Sequence, residues 1–273
     1  MKRIILLTTA LAGLFLCIVS CAPRYVGSDH YEYSDSVFIH LDETVGLSIP
    51  DGYSYFQVSL DIPVTNNDTT LPKLNDTLRR NILHWMLGSE REDYVAVVKE
   101  KRDEFFSTDG DGWVPDAKFM CSIDMVDQET NYVTYVNTGE LCSAVSHSNP
   151  WCVGATFMIG GENERVGYDL FVHRDSIAPI VERALLAVEE EITDFRMPEA
   201  EPWIEKDFAA FTWGSYEIGS FALGNLQCKV PLKDVQPYLS EKGKQMLASK
   251  FVDKRDAETG NAVKGNVGNG ESK

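Results

Sequence analysis

Histidine is scarce in this 273-residue sequence: five are scattered along it, and neither a Gly-x-Ser-x-Gly nor a His-Glu-x-x-His pattern occurs. A hydrolase needs a nucleophile beside a base, or a metal held by paired histidines, and neither arrangement is written here. Asp109, Asp111 and Asp116 offer a carboxylate pair, but nothing in the sequence sets them opposite each other. The expectation is a non-catalytic protein that uses no cofactor. Basic residues are also few, 25 against 42 acidic ones, for a formal charge of −17. A surface this acidic repels phosphate backbones, which argues against a nucleic-acid partner, and it disfavours simple adhesion to anionic lipid. It favours a cationic partner or merely keeps the protein dissolved. The longest apolar run falls short of the roughly 20 residues a membrane span needs.

That run opens the chain. Lys2 and Arg3 precede an apolar stretch from Ile4 to Val19, closed by Ile18-Val19-Ser20-Cys21-Ala22. A small residue before a cysteine at the end of such a leader resembles the lipobox of bacterial lipoproteins. The resemblance implies cleavage after residue 20 and lipidation of Cys21, an attachment that several acyl chains would make permanent. Removal of residues 1–20 takes two of the 25 basic residues and none of the 42 acidic ones, leaving a formal charge of −19. No acidic run follows Cys21, which by analogy points to an outer-membrane anchor facing the periplasm rather than the cell exterior. Residues 21–36 read as a tether.

Beyond the leader, about 230 residues suffice for one large or two small domains with a real core. Five tryptophans, eleven tyrosines and thirteen phenylalanines support a packed fold. Of six cysteines, Cys121, Cys142, Cys152 and Cys228 remain once Cys17 and Cys21 are set aside. An even number in an oxidising compartment reads as up to two disulfides. Cys142 and Cys152 flank a turn-like Ser146-His147-Ser148-Asn149-Pro150 and form the favoured pair, which leaves Cys121 for Cys228. Zinc is the competing reading, with only His147 between the favoured pair, and free buried thiols are the third.

Alternation predicts a first strand from Val37 and a second over Tyr53–Val64, joined as a hairpin. Two amphipathic helices follow, one with Leu74, Leu78, Ile82 and Trp85 on its stripe, the next with Tyr94, Val97, Val98 and Phe105. His84 reads as a surface or core-edge residue rather than a ligand. Asp109-Gly110-Asp111-Gly112 begins like a calcium loop, but Trp113, Val114 and Met120 stand where ligands and the loop glycine are required, so no metal is expected. Four antiparallel strands are then predicted, near 119–126, 132–136, 152–159 and 165–173. The longest helix, from Ile177 to about Phe195, is capped by Asp175-Ser176. Strands over Phe208–Trp213 and Leu226–Leu232 precede a helix from Lys233 to about Phe251, and residues 252–273 are too polar to fold. The expected class is α+β: antiparallel sheets packed with helices, in a small subdomain over 37–115 and a larger one over 116–251.

Phe208-Ala-Ala-Phe-Thr-Trp-Gly-Ser-Tyr216-Glu217-Ile218-Gly219-Ser-Phe221, followed by Cys228-Lys-Val-Pro231, is similar to the C-terminal segment of a bacterial extracytoplasmic domain of unknown function. Tyr55-Phe-Gln-Val-Ser-Leu-Asp-Ile-Pro63 and the Asn75-led helix resemble the small domain that precedes it. That domain occurs in the lysozyme-sensing anti-sigma-factor ectodomain and beside peptidoglycan deacetylases. The resemblance implies a membrane-tethered binding or sensing module for a cell-wall glycan or a cationic, lysozyme-like protein. Tyr216 and Phe221 are its candidate aromatic contacts. His147, in Ala144-Val-Ser-His147, stands nearest a ligand-bearing turn that the family carries. A structural lipoprotein within an envelope complex is the alternative. Asp35-Ser36-Val37, Asp68-Thr69-Thr70, Asp76-Thr77-Leu78 and Asp175-Ser176-Ile177 also resemble bacterial O-glycosylation sites.

Overall fold

The computed structural model describes residues 27–39, 52–64, 76–107, 117–143, 146–160, 164–190, 192, 194–218 and 225–251. The leader with Cys21, the Asp-Gly-Asp-Gly loop, Phe221 and the tail from 252 lie outside them.

Six strands form one sheet in chain order: β1 (Gly27–Ile39), β2 (Gly52–Val64), β3 (Lys118–Glu129), β4 (Tyr132–Ser143), β5 (Ser146–Met158) and β6 (Arg165–Val166). Every neighbouring pair is antiparallel except β2 and β3. Parallel neighbours need a long crossover, and helices α1 (Asp76–Leu87) and α2 (Tyr94–Phe105) lie in it. Leu78, Ile82, Leu83, Met86 and Leu87 recur at helical spacing in α1, and all are buried. Asp93 caps α2 by accepting from the Ala96 amide at 3.0 Å, which satisfies one of the donors a helix start leaves open. Both helices cover one face of the sheet, where Phe56, Val58, Leu60, Ile62, Ile123, Val133, Tyr135 and Phe157 form the core beneath them. Each such side chain stabilises the fold by roughly 1.5–3 kcal/mol relative to exposure.

Among the described residues, the opposite face is covered only at its β4–β6 end. There a second sheet of β7 (Trp203–Glu205), β8 (Phe208–Trp213) and β9 (Leu226–Pro231) packs with α3 (Arg174–Leu186), α4 (Leu232–Val235) and α5 (Glu241–Met246). Ile177, Val181 and Leu185 of α3 are fully buried against β9 and its neighbours. At Gly243 of α5 an added Cβ would collide with the Leu170 carbonyl, so α5 sits directly on the backbone of the 165–171 segment. A register shift between Met125 and Asp127 re-aims Asp127, as bulges do. Its Oδ2 accepts from the Tyr132 hydroxyl and the Lys206 amide, each at 2.8 Å, and meets Lys250 at 3.5 Å. Lys250 also pairs with Glu129 at 3.1 Å, which ties the end of the described chain to the main sheet.

The α+β class is as expected, but several elements differ. β1 begins at Gly27, inside the expected tether, because Tyr31 and Tyr33 supply the inward alternation: they pack on Tyr94 and Phe56. The boundary expected at residue 115 falls within one sheet, since β2 pairs with β3. The strand expected over 165–173 stops at Val166, where the Gly167 amide donates to Asp169 at 2.7 Å and Tyr168–Leu170 turn as a 3-10 helix. α3 starts at Arg174 and ends at Leu186, ahead of Glu189–Glu190, whose charge opposes the helix dipole at that end. The last expected helix divides around Pro237.

The four cysteines are free thiols, so neither expected disulfide forms. The segment expected as a turn, 146–150, is strand, and Cys152 faces Thr138 rather than Cys142. Four residues of strand separate the two along β4, about 13 Å, whereas a disulfide needs Cα atoms within about 7 Å. Cys121 lies under the helices beside Asn137, and Cys228 lies in the other layer beneath α3, its thiol near the Val181 carbonyl at 3.8 Å. Burial pushes Cys121 up to about 11 and Cys228 up to about 12.

Candidate functional site

Strand register decides which polar side chains share the open half of the outer face. Glu32 lies opposite Ser59, Ser59 beside Ser122, and Ser122 opposite Thr138, so one polar row crosses four strands. Side chains two residues away along each strand share that face. They are His30 and Ser34 on β1, Gln57 and Asp61 on β2, Lys118, Met120 and Asp124 on β3, and Glu140 on β4. Glu32, Gln57, Ser59, Met120, Ser122 and Thr138 line a shallow depression of about 380 Å³.

Local bonds hold this lattice in place. Asp61 accepts from the Met125 amide at 3.0 Å through one oxygen and meets His30 Nδ1 at 3.1 Å through the other. His30 Nε2 meets Glu32 at 3.1 Å. With a carboxylate at each ring nitrogen, the charged imidazolium satisfies both, and the His30 pKa is raised, first by the bond to Asp61 and then by that to Glu32. The Ser122 hydroxyl donates to Asp124 at 2.9 Å, and Ser148 donates to Glu140 at 2.6 Å. Four carboxylates thus face two basic side chains, His30 and Lys118, across a surface of hydroxyls and one amide. Such a surface is chemically suited to hydrogen-bonding polyhydroxylated chains and to attracting cations.

A second concavity lies at the far edge of the sheet, between α1 and β5–β6. Asn81, His84, Trp85, Gly88, Phe157, Glu164 and Arg165 enclose about 470 Å³. A third, of about 440 Å³, lies beside Phe208, Lys233 and Lys250.

The residues singled out in the sequence are not gathered at either of the first two places. Tyr216 is exposed in the turn after β8 and adopts φ +71°, a left-handed conformation costly for a bulky side chain. Glu217 fixes that turn by accepting from the Gly214 amide at 2.8 Å and the Glu199 amide at 2.6 Å. His147 lies within β5, its side chain outside the described residues, as is all of Phe221. Cys121 borders the depression, but its side chain packs in the helix-side core. The residues that do form the open face carry a legible signal: they occupy the polar phase of the same alternation whose apolar phase marks the core. Among the described residues, no group of three His, Cys, Asp or Glu is placed to hold a metal ion, and no helix is long and apolar enough to cross a membrane.

No protein-family model matches the sequence, and no curated protein matches it. Solved structures do resemble the fold. A DUF3298 family member from Bacteroides fragilis is similar with a TM-score of 0.57 and 15% identity, over 80% of this chain and 96% of that one. A DUF3298 family protein from Pseudomonas aeruginosa gives a TM-score of 0.50 and 9% identity, over 78% of this chain and 95% of that one. At such identities the likeness establishes the fold, that of a domain of unknown function.

Proposed function

We propose that this chain is a membrane-anchored, extracytoplasmic binding or sensing lipoprotein. It presents the open half of its main sheet to a cell-wall glycan or to a cationic, lysozyme-like protein. The observation that carries this reading is the polar lattice itself: Glu32, Ser59, Ser122 and Thr138 in one row, with Asp61, Asp124 and Glu140 around them. A solvated sheet face is ordinary, but here it is concave, ordered by its own hydrogen bonds and predominantly acidic. Cationic partners gain association rate from such a field. The anchor in this reading is Cys21, and the location is the outer membrane facing the periplasm. The DUF3298-like fold is consistent with the sequence resemblance to an extracytoplasmic sensing domain.

The test is retention of the full-length protein, in detergent, on insoluble peptidoglycan and on immobilised lysozyme, at rising salt. Saturable retention that survives salt and falls at least about tenfold in Ser59→Arg and Ser122→Arg supports the reading. Retention unchanged by either arginine moves the site off this face. No retention on either matrix removes the reading and leaves the structural role in an envelope complex.

A further inference from the structure

The edge cleft between α1 and β5–β6 differs in chemistry from the open face. Its wall is Trp85, half-buried and braced edge-on by Phe157 at 6.1 Å between ring centroids. A braced indole is a rigid plate whose exposed part attracts the partly positive C–H edges of a ring laid on it. Beside it stands Arg165. In a protein where acids far outnumber bases, Arg79, Arg80, Arg91, Arg102 and Arg196 each meet a carboxylate. Arg165 forms no such pair among the described residues. Glu164, its neighbour on the lining, is bridged to Lys242, which also holds Asp169. Glu201, whose charge acts on Arg165, accepts from the Tyr168 amide at 2.7 Å without closing to an ion pair. His84 lies 3.6 Å from Glu90 and is directed to it. An unpaired guanidinium beside an aromatic plate therefore faces a cavity of about 470 Å³, within the range that holds a small ligand.

We propose that this cleft binds a carboxylated sugar, its ring against Trp85 and its carboxylate on Arg165. One guanidinium recognises one carboxylate through its fork of donors. A phosphorylated ligand would bring more negative charge than this single cation offsets, into a protein of formal charge −17. A sugar ring laid flat presents C–H groups to the negative face of the Trp85 indole, which the face of an aromatic acid does not. The site is independent of the open face, which lies at the β1 side of the sheet, so either can fail alone.

The experiment is titration of the full-length protein in detergent with N-acetylmuramic acid, glucuronic acid and neutral N-acetylglucosamine, read by calorimetry and tryptophan fluorescence. Both acidic sugars are expected to bind, the neutral one at least about tenfold more weakly. Arg165→Gln, at an exposed position, is expected to erase that preference while leaving the fold intact. Trp85→Phe is expected to remove the fluorescence change and keep the preference for acid. Binding of N-acetylmuramic acid alone would narrow the ligand to that source. Equal binding of acidic and neutral sugars, an Arg165→Gln variant that keeps the preference, or no binding of any of the three would overturn the proposal.

Discussion

The two halves of the outer sheet face are built from the same strands, yet one is sealed and the other open. On β4, Thr134 is fully buried while Thr138, four residues on and on the same face, is exposed. What differs is the chemistry offered to the second layer. Beneath β7, Gly154 leaves room for the Trp203 ring to lie directly on the β5 backbone. Thr134 and Thr156 join hydroxyl to hydroxyl at 2.9 Å, and Thr156 accepts from the Ile204 amide at 2.8 Å. Among the described residues the Trp203 indole nitrogen is buried without a partner. The open half carries Glu32, Asp61, Asp124 and Glu140, which a layer could cover only at a large desolvation cost. Small residues and mutually satisfied hydroxyls invite coverage; clustered carboxylates refuse it until a complementary partner arrives.

The largest effect should come from removing the space that sealing requires. In Gly154→Ala the new Cβ would stand inside the Trp203 ring, and Trp203 is fully buried with nowhere to retreat. A loss of about 1–3 kcal/mol is expected, seen as a drop in Tm of about 2–4 °C per kcal/mol in thermal unfolding. An unchanged Tm would mean that the two layers are not locked at this point. The next effect separates the halves directly. Thr156→Val strands the buried Ile204 amide and should cost about 1–3 kcal/mol. Thr138→Val on the open half should stay within about 0.5 kcal/mol. Urea unfolding of both variants decides it, and equal losses would dissolve the distinction.

Much of this contrast is legible in the sequence, though unevenly. The core phase of β2 (Phe56, Val58, Leu60) and the stripes of α1 and α3 repeat aliphatic residues at regular spacing and read plainly. β1 escapes because its inward residues are Tyr31 and Tyr33, set among Asp, Ser and Glu that resemble a linker. The disulfides mislead because cysteine count and compartment say nothing of register, and register alone separates Cys142 from Cys152. The open face hides for a related reason. Glu32, Ser59, Ser122 and Thr138 lie up to 106 positions apart, and no local pattern announces that three successive pairings align them. Arg165 and Trp85 meet only through the crossover that lays α1 over the sheet edge.

The sealed half also predicts an alkaline limit. Burial raises the Cys228 thiol from 9.0 to about 12. Below pH 9 it is protonated in both folded and unfolded chains, and its contribution to stability is complete. As pH rises from about 9 to about 12 the unfolded chain loses the proton first, so stability falls. Cys228→Ala should therefore unfold with a shallower pH dependence above 9, whatever it loses at neutral pH from the cavity. The native thiol should resist iodoacetamide at pH 8 until urea exposes it. Rapid native alkylation would show that α3 does not close over β9.

The smallest effect belongs to the open half and tests whether its lattice is organised at all. His30 is held by Asp61 and Glu32, and its pKa is raised above 6.5. Its stabilising contribution is then fully present below pH 6.5 and is lost as pH rises through the raised value. Because the group is exposed, salt should weaken the effect, and the proton NMR titration of His30 should shift back toward 6.5 as salt is added. A titration at or below 6.5 in low salt would mean that the carboxylates of this face are not gathered around the ring. The same proton links the face to its proposed use. A cationic protein docked there would repel the imidazolium and lower the His30 pKa. By linkage, its affinity must rise with pH across that titration, and His30→Gln must flatten the rise. A sugar chain without charge should show no such dependence, so one pH series on two ligands distinguishes the partners that this face can take.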